Sequence, residues 1–250
     1  MALLASQNTI LLAEDNKVNQ LLVHKLLAPY NIQPVIAENG EEVLILLENR
    51  SFDLILMDVQ MPLLDGITTT RLIRKYVANR IPIVGMTAYV LPNEIEKCYA
   101  AGMNDHIPKP IDEQQLLEVI KKYIYLDEDA VAPVSITDQS KDIDFAFLSK
   151  ICNGNEAAMN TILDALETQL PVDGRSFENA LSDKNYDALR KIIHHMKSTI
   201  SPLGTDSDIA KAIVPVSDLL HSGNDWSAVQ ESGTRLLSAL ESTIELIKKR

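Results

Sequence analysis

Between Thr9 and Leu126 the chain alternates two kinds of segment: a strand-sized apolar run, then a longer amphipathic stretch. The apolar runs are "TILLA" (9–13), "PVIA" (34–37), "FDLILMD" (52–58), "IPIVGMT" (81–87) and "DHIP" (105–108). Residues 41–49 typify the stretches between them, with Val43, Leu44, Leu46 and Leu47 set among glutamates. Strand and helix alternating at this spacing predict a doubly wound, five-stranded parallel sheet covered by helices on both faces. Such sheets bind ligands beyond the carboxyl ends of their strands.

The pattern stops at "DEDAVAPVSITDQSKDI", Asp127 to Ile143, which is polar, acidic and without a sustained period. It reads as a linker. From Asp144 onward apolar residues recur at helical spacing, with breaks at Gly154, Pro171–Gly174, Pro202–Gly204 and Gly223. That predicts a bundle of four or five helices. The expected organisation is therefore α/β plus all-α: a sheet domain over 1–126, a linker over 127–143 and a helical domain over 144–250. A length of 250 residues accommodates two ordinary domains.

Charge and cysteine usage exclude several functions. The net charge is −12, and both halves are acidic with no basic arm or stripe. A nucleic-acid groove needs the opposite sign. Cys98 and Cys152 are the two cysteines, with no CxxC or histidine cluster near them, which fits free thiols in a reducing cytoplasm and no zinc. No apolar run reaches the length of a membrane span, and "MALLASQ" lacks the basic leader of a signal peptide.

Five residues sit at successive strand ends. Glu14 and Asp15 follow the first apolar run, Asp58 ends the third, Thr87 ends the fourth and Lys109 follows the fifth. Carboxylates crowded on one rim repel unless a cation sits among them, and hard oxygen donors suit Mg²⁺. A hydroxyl and an ammonium beside the metal complement an anion. The set suits phosphoryl transfer onto a carboxylate. Singly, each has a duller role: a helix cap, a strand-end residue, a solvated charge.

Together "LLAEDNKVNQLL", "LILMDVQMPLLDG", "IVGMTAY" and "AGMNDHIPKPI" resemble the receiver domain of two-component response regulators, in the form found in hybrid histidine kinases. The resemblance covers residues 9 to about 125. It implies a flavodoxin-like fold with Asp58 as phosphoacceptor. Mg²⁺ would be held by Glu14, Asp15, Asp58 and the backbone carbonyl of Gln60. Thr87 and Lys109 would contact the phosphoryl group, and Lys109–Pro110 would be a cis peptide. The family's switch aromatic falls at His106, whose imidazole would make the switch pH-sensitive. Tyr89 is placed to shield an acyl phosphate. A haloacid-dehalogenase-type phosphatase would carry a second Asp two positions after Asp58. Gln60 stands there and cannot exchange a proton usefully.

"IIHHMKSTISPLG" (192–204) puts two histidines on one helix. At about 100° per residue, Leu189, Ile192, Ile193, Met196, Ile200 and Leu203 fall within roughly 60° of one direction, the buried stripe. His194 lies away from that stripe beside Arg190, Lys197, Ser198 and Ser201, whereas His195 lies on the opposite flank between Lys191 and Thr199. Cations there favour an added phosphoryl group. "HHMKSTISPLG" resembles the histidine-containing phosphotransfer (HPt) domain, and with His194 as acceptor Lys197, Ser198, Leu203 and Gly204 fall into register. Ser198 stands where glycine is usual, and Pro202 is expected to end or kink the helix near Ser201.

The expected function is a cytoplasmic phosphorelay step between a sensor histidine kinase and a downstream receiver, using Asp58, His194 and Mg²⁺. No P-loop or kinase glycine boxes appear, so no kinase activity is expected unless the chain is part of a hybrid kinase. The alternative is a pseudo-receiver scaffold that binds partners without phosphorylation.

Overall fold

The computed structural model describes residues 8–77, 80–87, 92–124, 145–152, 154–222 and 225–250. The predicted linker 127–143, Tyr89 and Gly223 lie outside them. The chain divides into two compact units, Met1–Pro133 and Val134–Arg250.

The first unit is built on β1 (Ile10–Ala13), β2 (Val35–Ala37), β3 (Leu54–Asp58), β4 (Ile83–Thr87) and β5 (Asp105–Pro108). All pair in parallel, in the order β2-β1-β3-β4-β5. This is the flavodoxin-like order, with its switch point between β1 and β3. Every residue of β1, β3 and β4 is buried, which is why these runs are apolar on both faces rather than alternating. The covering helices are α1 (Lys17–Leu27), α2 (Gly40–Asn49), α3 (Gly66–Leu72), α4 (Pro92–Ala101) and α5 (Glu113–Lys121), and α3 runs on into a π-helical turn, Ile73–Val77. On one sheet face Leu11, Ile55, Met57 and Ile83 form a core with Val43, Leu47, Ile73 and Cys98.

Local chemistry sets the helix starts. Asn16, Asn39, Asp65 and Asp112 each accept from backbone N–H groups in the first turn of α1, α2, α3 and α5. Caps of this kind contribute about 1 kcal/mol each. The β3–α3 loop folds back on its strand, with Gly66 N donating to Val59 O at 3.0 Å. A Cβ on Gly66 would lie 2.1 Å from the Asp58 carbonyl oxygen, so only glycine permits that return.

The second unit is helical: α6 (Ala146–Ile151), α7 (Glu156–Ser182), α8 (Tyr186–Thr199), a 3₁₀ turn Ser201–Leu203, α9 (Asp208–Ser222) and α10 (Trp226–Lys248). Among the described residues α7 packs on α8 and α10, and α9 packs on α8 and α10. The predicted break at Pro171–Gly174 is absent, because α7 runs straight through it. Pro171 lacks one backbone donor, yet the buried stripe Ile162, Leu163, Leu166, Leu170 and Phe177 continues across it. Gly174 lies against Leu240 of α10, where a Cβ would come within 2.7 Å of Cδ2. Tertiary burial overrides the local breakers. By contrast the chain does leave the α-helix at Pro202: α8 ends at Thr199.

Candidate functional site

The β1–β3 switch point is where the buried charges of the sheet unit gather. Parallel register sets Ala13 beside Met57, Asp58 beside Met86, and Thr87 beside Pro108. Glu14 and Asp15 therefore emerge on the same rim as Asp58, Thr87 and Lys109. Ligand oxygens of Glu14, Asp15 and Asp58 all lie within 4.8 Å of one another.

Lys109 ties the rim together. Its Nζ donates to Asp58 Oδ2 at 2.7 Å and to Glu14 Oε2 at 2.8 Å, and its backbone N donates to the Thr87 carbonyl at 2.7 Å. The Lys109–Pro110 bond is cis. The remaining oxygens are also engaged. Asp58 Oδ1 accepts from Gln60 N at 3.1 Å, while Glu14 Oε1 accepts from Asn19 Nδ2 at 3.1 Å and Asn16 N at 3.3 Å. The Glu14 carbonyl in turn accepts from Gln20 Nε2. Asp15 is half-buried and so the most accessible of the three acids. Helix α1 is capped by Asn16 rather than by Asp15.

Burial dominates the titration of this cluster. Desolvation lifts the Glu14 carboxyl from 4.5 to about 7, against the pull of Lys109 and with the nearby Asp58 charge adding to the rise. Burial raises Asp58 too, again opposed by Lys109. The same burial would lower the Lys109 ammonium, but the Asp58 and Glu14 carboxylates outweigh it and hold it above its ordinary value. Lys109 is a fixed cation, and it keeps a buried carboxylate pair chargeable.

His106 is half-buried on β5, with Nδ1 3.1 Å from the Tyr99 hydroxyl of α4 in an edge-on ring contact. Asp105 beside it is held by Lys122 at 2.7 Å.

The family described as "Response regulator receiver domain" matches over residues 10–121. Those residues are a receiver domain. Similar curated proteins include Histidine kinase 5 of Arabidopsis thaliana, 36% identical over 147 residues, 48% of this chain and 16% of that protein. The sensor protein GacS of Pseudomonas syringae pv. syringae is 40% identical over 118 residues, 46% of this chain and 13% of that protein. The histidine-protein kinase BarA of Shigella flexneri is 27% identical over 195 residues, 75% of this chain and 21% of that protein. The chain thus spans less than a quarter of these relatives' length. Among solved structures, the receiver domain of sensor histidine kinase PA1611 from Pseudomonas aeruginosa PAO1 contains a magnesium ion coordinated in its active site cleft. It is 34% identical and covers 47% of this chain and 98% of its own, with a TM-score of 0.44.

Outside the receiver, α8 carries the two histidines. Leu189, Ile193, Met196, Ile200 and Leu203 are buried as the wheel predicts, while Ile192 is half-exposed. His194 is half-buried with its Nδ1 atom enclosed. Lys197 donates to Ser217 Oγ of α9 at 2.6 Å, and burial lowers its ammonium. Arg190 donates to the Leu220 carbonyl at 3.0 Å and to Asp187 at 2.9 Å.

Neighbouring elements cover more of α8 than its apolar stripe alone implies, and Ser198 is buried. His195 is a boundary residue, and its Nε2 lies 3.5 Å from Oδ1 of Asp173, a buried carboxylate on α7 that also accepts from Gln169 at 2.7 Å. Burial raises the Asp173 carboxyl, and His195 is the chief opposing influence. Sequence reading passed over Asp173, although a carboxylate between Leu170 and Phe177 interrupts an otherwise apolar stripe. It also passed over Asn19 and Ser217, which were visible only as polar residues on packed helix faces, and over Tyr99, which is exposed on α4.

Among the described residues, no helix is long and apolar enough to cross a membrane.

Proposed function

We propose that this chain is a phosphorelay intermediate that holds a phosphoryl group on Asp58 and, in an HPt-like helical unit, on His194. The observation that carries the reading is Lys109 bridging Asp58 and Glu14 beside Asp15. Three carboxylates against one lysine leave a net negative pocket of hard oxygens, which fits Mg²⁺. Asp15 and Asp58 would hold the ion with the Gln60 carbonyl. Glu14, the third acid of the cluster, would hold it with them. When bound, the metal neutralises charge on the phosphoryl oxygens.

The chain's own groups do the rest. Lys109 favours ionised Asp58 despite burial and so preserves the nucleophile. An Asp58 oxygen bonds to phosphorus as the donor's bond to phosphorus breaks, and Lys109 balances the charge that builds on the transferring oxygens. The Thr87 hydroxyl orients those oxygens. In the helical unit the enclosed Nδ1 of His194 leaves Nε2 as the nitrogen a partner can reach, with Lys197 three residues on as the countercharge. Partners of the matching chemistry are a histidine kinase upstream and another receiver downstream. No ATP chemistry is assigned to the chain itself.

Intact-mass measurement after treatment with acetyl phosphate and Mg²⁺ tests this. One added phosphoryl group, lost in Asp58→Asn, supports the receiver role. A histidine phosphate lost in His194→Gln but kept in His195→Gln supports the relay. A folded protein that takes no label with Mg²⁺ present would replace this reading with a phosphorylation-independent scaffold.

A further inference from the structure

We infer that Asp173 of α7 and His195 of α8 bind one proton as a pair, forming a pH-sensitive clasp that holds the two helices together while the proton is kept. Asp173 lies on the buried face of α7, between Leu170 and Phe177. Its two oxygens are provided for unequally. Oδ1 accepts from Gln169 Nε2 at 2.7 Å and lies 3.5 Å from His195 Nε2. Oδ2 is enclosed and meets no hydrogen-bond donor among the described residues. A buried carboxylate served on one oxygen is costly to ionise unless a cation faces it. The imidazole is placed to be that cation. With one proton on the pair, either the acid is neutral or an imidazolium balances it. Without the proton, a buried negative charge stands beside a neutral ring. The His195 side chain is 33% exposed and that of Asp173 5%, so the ring exchanges the proton with solvent and the acid makes its loss unfavourable.

Burial raises the Asp173 carboxyl, opposed first by the charge of His195 and then by hydrogen bonds from Gln169 and Thr199. The charged residues of the elements packed on α7 and α8 stand in solvent, which screens them. These are Lys150 of α6, Asp208, Lys211, Asp218 and His221 of α9, and Glu231, Arg235, Glu241, Glu245 and Lys248 of α10. On α7 itself Glu156, Asp164, Arg175 and Glu178 are exposed, and Glu167 lies 3.7 Å from Arg250. On α8 Lys191 is exposed, while Arg190 and Lys197 donate to α9. The sign of the effect follows. In the unfolded chain an aspartate releases its proton near 3.9 and a histidine near 6.5. Folding favours the proton-bound pair, so the helical unit loses stability as pH rises through the last titration step of the pair.

The test is urea unfolding of the full chain across the range from acid to mildly alkaline pH, followed by fluorescence of Trp226, the single tryptophan, which lies in the helical unit. The unfolding constant of wild type should rise with pH, by up to about tenfold per pH unit for one proton. Asp173→Asn keeps the shape and removes the charge. It should abolish that rise and leave the variant more resistant to urea than wild type at the alkaline end. A rise undiminished in Asp173→Asn overturns the inference, as does a wild-type profile that is flat or falls. A loss of stability equal at every pH marks a packing role for Asp173 and overturns it too. Carbon-13 NMR of wild type reads the pair directly, so the inference stays falsifiable even where the variant does not fold. The Asp173 carboxyl carbon and the His195 ring carbons should move in a common step as pH is raised. Separate steps, each indifferent to the other group, overturn the pairing.

Discussion

Glu14 and Lys109 are 95 residues apart in sequence and 2.8 Å apart in space, whereas His194 and Lys197 neighbour one another on a single helical turn. The first site is largely buried, multiply bonded and assembled by the whole sheet. The second lies on the surface of one helix, with a neighbouring helix steadying a single side chain. Burial explains the contrast. A carboxylate nucleophile taken out of water must be given a cation and several donors, and only converging strands supply them from different directions. A half-exposed imidazole keeps contact with solvent and needs little beyond a nearby positive charge.

The comparison breaks most sharply at the two proposed phosphoacceptors. Asp58→Asn is expected to abolish acyl-phosphate labelling, read by intact mass, and to leave chemical phosphorylation of His194 intact. Next in size is Lys109→Ala. It strands two buried carboxylates without their cation and should destabilise the receiver by roughly 3–5 kcal/mol. Hydrogen exchange would detect this across β1 and β3, while urea unfolding monitored at Trp226 stays unchanged. A shift at Trp226 would show the two units to be energetically coupled, and added Mg²⁺ should restore part of the loss.

The pH response sharpens the contrast further. With Glu14 lifted to about 7, the folded receiver keeps a proton that the unfolded chain releases above about 4.5. Metal-free stability therefore falls as pH rises through that window. Mg²⁺, which needs the ionised site, should bind more tightly by up to about tenfold per pH unit below 7. Calorimetry at pH 6, 7 and 8 should show a shallower slope for Glu14→Gln. An unchanged slope would move the titrating group to Asp58. The smallest effect belongs to His195→Gln. Removing a partner from buried Asp173 should cost about 1–2 kcal/mol in Trp226-monitored unfolding, with His194 still phosphorylated.

The strands were legible because fully buried parallel strands are apolar on both faces, and β5 matches its predicted span. The five rim residues were legible because each directly follows or ends such a run. Nothing local marks Asn19 or Ser217, since a polar residue on a packed helix face gains meaning only from what lies opposite. Pro171 and Gly174 misled for the complementary reason: their local preference is to break a helix, and packing against α10 keeps α7 continuous. The contact of His195 with Asp173 was hidden for the same reason, since it depends on the facing helix.

That Lys109 closes on Glu14 has a temporal side. During synthesis the chain makes Asp58 long before it makes Lys109, so a nascent receiver presents carboxylates without the lysine that completes them. The bridge from Lys109 to Asp58 and Glu14 cannot form on the ribosome until β5 and the residue after it have emerged. On the proposed reading, competence to be phosphorylated would arrive only once that bridge has closed.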